Sequence, residues 1–527
     1  MLTIYRKNSK FFNYIYLAII IFFSFSINWK YSKYGVFPID TFLHYDSAFR
    51  ILNGEHPVKD FWIVSGFIVD YLQAFFFKMF EINWHAYIFH SSFFNLLISI
   101  FTYFLLINIK LEKTFALFYT LCLSLLAYTV SGTPFVDLHA TFFCLFAVYS
   151  TILAIKKPSS KFYWVLMSTC FFLAFLSKQV PTSYMIIFYS LIIFPYLIIK
   201  NNFIVLRIIL FSVVALSLIF VLVLKKLNID FELFYIQYFD FPSSIGSERA
   251  LKASVNLKSL FSHYKFIFVP IIFIIFFKVR MLLSHKVKFY SDDIICSLVI
   301  LSFAFSLIFH QILTKNQIYI YFLIPLLCAY FHADILQEKF NTKDKFIYLI
   351  IFLVIFSTVK YHLRFNENRK FHELVNVDIS QSVKSEHLSK NLKGIFWITP
   401  FYKKSPKEEL KMLNKVIIEL DNKQNDVMLL TNYLFLDSLT EKKLNSPSRT
   451  HTDDGISIPM PGNKHYESYK KFLKKKIKKN SINEIYFIKS EKIPTEIFTF
   501  FLEESCYIKN ETDLFLQYKI KVNCLRN

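Results

Sequence analysis

The sequence predicts a mainly α fold: a polytopic bundle of about eleven transmembrane helices followed by a small α/β domain. Three observations carry this expectation. The 527-residue chain is 55% hydrophobic with 65 Phe and a mean hydropathy of +0.41, more apolar surface than a water-soluble fold can hide. Its apolar residues gather in runs nearly free of charge, close to the roughly 20 residues needed to cross the hydrocarbon of a bilayer. Beyond residue 362 the chain turns charged and less apolar, and its periodicity changes.

Taken in order, the runs are 11–29, 85–108, 114–130, 138–155, 162–177, 180–199, 203–224, 265–279, 292–313, 317–333 and 345–361. No small-residue cleavage site follows the first, so it is expected to remain as an anchor. Segment 67–80 is apolar but broken by Asp70 and Lys78, and is expected as a helix at the membrane interface. Positive charge sets the orientation. Arg6, Lys7 and Lys10 precede the first run, which places the N-terminus in the cytoplasm of a multi-pass inner-membrane protein. Counting alternately, the inside loops carry Lys110 and Lys113, "KKPSSK", Lys200, "KVRMLLSHKVK", and Lys339 with Lys343, whereas "SGTPFVD" and "TKNQ" outside are nearly bare. The first loop (30–66), the loop at 225–264 and the tail 362–527 then lie outside the cytoplasm, and residues 1–361 form the membrane module. In the tail, "GIFWITP", "DVMLLTNYLFL" and "NEIYFIKS" read as strands, and "SPKEELKMLNKVIIELDN" as a capped amphipathic helix, which together suggest α/β.

The net charge of +22 does not argue for nucleic acid. Much of the Lys excess accompanies Ile, Asn, Phe and Tyr excess with only 8 Gly, the signature of an AT-rich genome, and the rest lies where topology wants it. For the basic helix "YKKFLKKKIKKN", attraction to anionic headgroups, or no function at all, is a better account than nucleic acid. Cys122, Cys144, Cys170, Cys296 and Cys328 fall in apolar runs as packing residues; Cys506 and Cys524 are either disulfide-bonded or two free thiols. No CxxC or Cys/His cluster points to a metal.

The most polar early stretch is "PIDTFLHYDSAFRILNGEHPVKDFW", residues 38–62. Placed on a helix, Phe42, Tyr45, Phe49 and Leu52 form an apolar stripe for the membrane surface, with Asp40, His44 and Ser47 opposite. Asp46 and Arg50 are spaced to pair on the flank, and Gly54 ends the helix. Plain structural accounts exist for each: Asp40 after Pro38 as an N-cap, Asp46 with Arg50 as a surface ion pair, Lys59 and Asp60 as solvated charges.

A membrane anchor, then an outside loop opening on an acid and running through an interfacial helix to "ILNGEHPVKDFW", resembles the GT-C superfamily of membrane glycosyltransferases. The span count and the α/β tail are similar as well. "VKDFW" resembles the "YRDF"-like sequence frequent after the glycine in bacterial members. The resemblance covers the first hundred residues in motif and the remainder in architecture. It implies transfer of a hexosyl or pentosyl group, with inversion, from a polyprenyl-phosphate donor to a lipid, glycan or protein acceptor. It also implies a catalytic or acceptor-binding carboxylate in the first outside loop, often in an Asp-Glu pair. The matching position is Asp40, followed by Thr41 where Glu is common; Asp46 is the second candidate. His44, Arg50, Lys59 and Asp60 are then expected to contact substrate. An acidic pair could hold Mg²⁺ or Mn²⁺, but Thr41 beside Asp40 argues against it.

Such chemistry needs a base for the acceptor hydroxyl and cations for the departing phosphate. Lys178 and Gln179 in "FLSKQVP", and Lys315, Asn316, Gln317 and Tyr319 in "TKNQIY", stand at outer mouths of helices, where a lysine can equally be snorkelling. Asp137 and His139 in "FVDLHA" begin a span, a costly place for ionisable groups unless paired or functional; their spacing is poor for a shared metal. His310 near a helix end reads as a core histidine. His451, Asp453 and Asp454 in "RTHTDDG" read as a solvated loop. Two other functions compete. A transporter or flippase for lipid-linked glycans would show repeat symmetry or Gly/Pro-broken helices, and neither is visible. A glycan polymerase or ligase would place its main polar loop late among the spans, which the 225–264 loop leaves open.

Overall fold

Hydropathy and helix length agree closely. Among the described residues of the computed structural model, eight helices are long and apolar enough to cross a membrane: Asn13–Tyr31, Trp84–Asn108, Val136–Lys156, Gln179–Ile199, Phe203–Lys226, Leu260–Leu283, Asp292–Leu313 and Asp344–His372. Three shorter apolar helices, Lys113–Leu126, Phe162–Ser177 and Ile320–Leu336, occupy the remaining expected positions. The chain is a multi-pass membrane protein with a small mixed sheet near its C-terminus. The structure describes residues 2–527 except 129–131, 252–256, 315–319, 337–342, 401, 453–454, 492, 494–502, 522–523 and 525–527.

The fold separates into two compact units. The first comprises Met1–Ser32, Ile88–Phe220 and Lys252–Phe371 and holds most of the membrane helices. Helix Val136–Lys156 is central to it, with every residue from Val136 to Ile155 buried. Small polar side chains tie neighbouring helices there, as when Asn95 Nδ2 donates to Ser24 O at 2.7 Å and to Ser124 O at 3.2 Å. The five cysteines in apolar runs are all buried free thiols.

The second unit comprises Lys33–Tyr87, Val221–Leu251 and His372–Asn527, so the polar early stretch folds with the tail. The tail's sheet has the order β3-β4-β6-β5, where β3 is Met428–Leu430, β4 Glu484–Ile488, β5 Tyr507–Glu511 and β6 Phe515–Ile520; β3 and β4 run parallel, the other pairs antiparallel. Helix Pro406–Asp421 carries the expected cap: Ser405 and Glu408 form a reciprocal capping box. The strand expected in "GIFWITP" is β2 (Phe396–Trp397). It pairs with β1 (Val383–Lys384) in a separate ribbon and does not enter the main sheet, which is completed by the hairpin of β5 and β6. Cys506 and Cys524 form a disulfide.

Two expectations about the early stretch are corrected. Asp40 is not an N-cap: Phe37 precedes a one-turn helix, Pro38–Thr41, and Asp40 lies inside it. On helix Leu43–Leu52 only the later part of the expected apolar stripe meets a surface, Phe49 in part and Leu52 exposed, and the earlier part does not. Phe42 and Tyr45 are fully buried, Phe42 among Trp84, Trp397 and Phe435, and Tyr45 against Phe77 and Tyr87. The aromatic side chains of the tail and of helix Phe67–Phe80 offer more apolar contact than a solvated face can, and the helix is drawn into the core. Gly54, at φ +83°, ends it as expected: its N–H donates to Ile51 O, and the Glu55 N–H reaches Arg50 O at 2.9 Å.

Candidate functional site

Trp62, from the early stretch, enters the tail's hydrophobic core beside Phe241, Tyr469 and Phe472. Backbone bonds on both sides of it, Trp62 N to Pro447 O at 2.8 Å and Arg449 N to Trp62 O at 3.1 Å, zip residues 62–65 to residues 447–449. This pairing brings charges from distant segments into one buried set.

One group is centred on Asp70, in helix Phe67–Phe80. Its Oδ1 lies 2.6 Å from His44 Nδ1, and its Oδ2 accepts from the Arg449 guanidinium, which also donates to Ser65 O. His44 and Asp70 have no exposed surface. Burial pulls the His44 pKa down against the opposing pull of Asp70, so the imidazole is neutral at pH 7. Its Nδ1–H then points at Asp70, and Nε2 is a buried acceptor without a hydrogen-bond partner among the described residues. A carboxylate that fixes the tautomer of a histidine is the usual way to hold imidazole for proton transfer or for orientation.

The other group runs along helix Leu43–Leu52. Arg50 donates through Nε to Glu55 at 2.7 Å and through Nη2 to Ser446 O at 2.9 Å, stands 3.7 Å from Asp46, and stacks over the Phe61 ring. The Asp46–Arg50 pair is therefore buried, not the surface pair the spacing suggested. Glu55 also meets Lys443 at 2.8 Å and Lys476 at 3.8 Å. Burial opposes its charge, but Arg50 and the two lysines outweigh burial and hold the carboxyl down to about 2. Asp46 is driven the other way: burial raises its pKa well above the ordinary range, Arg50 opposes the rise, and Asp437 and Glu55 add to it. Asp437 is likewise raised by burial. Burial lowers Lys476 to about 7, and Lys476 donates to Asp60 O at 2.5 Å.

Lys59 and Asp60 are fasteners. Lys59 Nζ donates to Leu227 O at 3.2 Å; Asp60 accepts from the His56 N–H at 2.9 Å and meets Lys479 at 3.0 Å. Asp40, like Asp60, is half-buried, and it sits in the one-turn helix; Asp46, Glu55 and Asp70 are buried and each lies beside an arginine. His451, expected in a solvated loop, is buried and bonded to Ser446 Oγ at 2.9 Å because its segment packs against helix Leu43–Leu52 through Arg50 and Ser446. Burial holds its imidazole down at about 3.

In the first unit, Lys178 Nζ lies 2.6 Å from Asp137 Oδ1, with His310 Nε2 at 3.6 Å from the same oxygen. His139, two residues on, turns elsewhere, to Tyr128 OH at 3.1 Å and His90 Nε2 at 3.0 Å. Gln179 opens the next helix and accepts from Ser183 Oγ through its carbonyl at 2.8 Å. Lys315, Asn316, Gln317, Tyr319, Asp453 and Asp454 lie outside the described residues. Among the described residues no group of three metal-ligating side chains converges. Sequence reasoning did not find Glu55, Asp70, Asp437, Arg449 or Lys476. Asp70 had a signal, a carboxylate in an apolar helix; Arg449 and Asp437 had none, because their partners are hundreds of residues away.

No family model matches the chain, and no curated protein matches it. Among solved structures it is similar to the crystal structure of ArnT from Cupriavidus metallidurans bound to undecaprenyl phosphate, at 11% identity and a TM-score of 0.41, over 96% of this chain and 97% of that one.

Proposed function

We propose that this protein is an integral-membrane glycosyltransferase of the GT-C type. It transfers a sugar from a polyprenyl-phosphate donor to an acceptor hydroxyl on the extracytoplasmic side of the membrane, with Asp40 as the base. The observation that carries this reading is the contrast among the acids of the early stretch. Burial and arginine partners occupy Asp46, Glu55 and Asp70, and Lys479 with the His56 N–H engages Asp60, whereas Asp40 sits half-buried in its one-turn helix. The resemblance of the stretch to the GT-C first loop supports the same choice. In the reaction, the acceptor oxygen attacks the anomeric carbon as the bond from that carbon to the phosphate oxygen breaks. The hydroxyl proton passes to Asp40, and the polyprenyl phosphate departs with the bonding pair, inverting the centre.

The test is Asp40→Asn beside Asp46→Asn, in membrane vesicles supplied with a panel of radiolabelled polyprenyl-phosphate sugars and scored by release of polyprenyl phosphate. Asn keeps the size of Asp40 and leaves the backbone bond from its N–H to Phe37 O in place. Asp40→Asn is expected to lower turnover by about 100-fold or more, the scale of a lost general base, and Asp46→Asn by no more than a few-fold. Asp40→Asn at near wild-type turnover refutes the assignment. Uptake of donor across the membrane without release of polyprenyl phosphate would identify a transporter instead.

A further inference from the structure

Helices Phe162–Ser177 and Phe203–Lys226 touch at Phe172 and Phe220, whose rings are 6.1 Å apart. Towards their starts they leave a groove open, a cavity of about 590 Å³ whose mouth carries Lys161 and Arg207 and whose walls include Phe162, Val165, Ile208 and Phe211. None of the lining residues is acidic. Both cations are exposed, and so are most of the apolar walls; Phe211 is 76% exposed. In a membrane-spanning chain this combination fits one class of ligand, with an anion at the polar end and hydrocarbon below it.

We propose that this groove is a binding site for a diacyl anionic phospholipid, its phosphate held between Lys161 and Arg207 and one acyl chain lying along Val165, Ile208 and Phe211. The proposal is independent of the glycosyltransferase reading. Charge complementarity selects an anionic lipid over a zwitterionic one, since two cations near the headgroup plane meet no protein carboxylate in the groove. A basic pocket between membrane helices is a recurrent form of anionic lipid recognition. The apolar walls select a lipid over a soluble phosphate, because the gain from covering them is available only to hydrocarbon chains that follow the groove.

The experiment is native mass spectrometry of the full-length protein in detergent, titrated with dioleoyl-phosphatidylglycerol and separately with dioleoyl-phosphatidylcholine. The wild type should retain the anionic lipid about thirtyfold more tightly, from two cations near the headgroup. Lys161→Gln with Arg207→Gln should erase that preference. Val165→Trp, at a lipid-facing position, should fill the groove and lower occupancy with both cations intact. Millimolar inorganic phosphate should not displace the lipid. Equal retention of the two lipids, or unchanged retention of phosphatidylglycerol in the variants, overturns the proposal. So does complete displacement by phosphate, or by undecaprenyl phosphate in preference to phosphatidylglycerol, which would make this an anion site or a donor-lipid site.

Discussion

Arg449→Met tests whether the buried charges join the early stretch to the tail. Asp70 has no exposed surface and Arg449 almost none, and the carboxylate is held by two donors, the neutral imidazole of His44 and the Arg449 guanidinium. Methionine keeps much of the apolar stem and removes the cation, leaving a buried carboxylate with one neutral donor. Removing one partner of a buried pair costs about 3–5 kcal/mol, so unzipping of the 447–449 and 62–65 pairing should become roughly two to three and a half orders of magnitude more favourable. At about 2–4 °C per kcal/mol for a domain of 150–250 residues, the melting temperature should fall by roughly 6–20 °C. Hydrogen exchange reads the same event locally, because the Trp62 and Arg449 amides bond across the junction. Adding Asp70→Asn to Arg449→Met removes the stranded charge. The double variant should recover part of the loss, with a coupling of about 0.5–3 kcal/mol in the double-mutant cycle. A single variant that costs under about 1 kcal/mol, or a double variant no better than Arg449→Met, refutes the reasoning.

Asp46→Asn should act on pH dependence. Because burial raises the folded pKa of Asp46 above its unfolded value, the native state holds a proton the unfolded state releases, and Asp46 costs stability increasingly as pH rises above about 4. The variant should therefore gain in melting temperature relative to wild type between pH 5 and pH 8; a constant difference across that range contradicts the assignment. Lys178→Ala should lower the melting temperature, because it strands the buried Asp137 carboxylate that lies 2.6 Å from the lysine, and Lys178→Arg should retain part of the stability. Lys178→Ala/Asp137→Asn is the companion variant. A double variant no more stable than Lys178→Ala contradicts the pairing.

The spans were legible because hydropathy is a local property: each apolar run needs only its own residues to declare a helix, and the eleven runs coincide with the apolar helices to within a few residues at most ends. The capping box at Ser405 and the glycine stop at Gly54 are local in the same way. The early stretch was legible as a helix and illegible as a surface. Its periodicity showed two faces, but which face is buried depends on what arrives to cover it. Here the polar face and the start of the apolar face are covered, His44, Asp46 and Arg50 by polar groups of the tail and of helix Phe67–Phe80, Phe42 and Tyr45 by aromatic residues, while Leu52 stays exposed. Arg50 reaches a carbonyl 396 residues away, and Arg449 reaches Asp70 across 379. No short-range pattern encodes such partners.

The dependence runs in both directions. A helix with an arginine, an aspartate and a histidine on its polar face cannot leave water alone, because each charge without a partner costs several kcal/mol. Glu55 and Ser446 satisfy Arg50, Lys443 and Lys476 satisfy Glu55, and Arg449 satisfies Asp70, so four of these five partners come from the tail. The tail is thus a structural requirement of the stretch that carries Asp40. Its loss should unfold that stretch even with every membrane helix intact, and variation at Arg449 or Lys476 should affect transfer through the position of Asp40 although neither residue need touch the sugar.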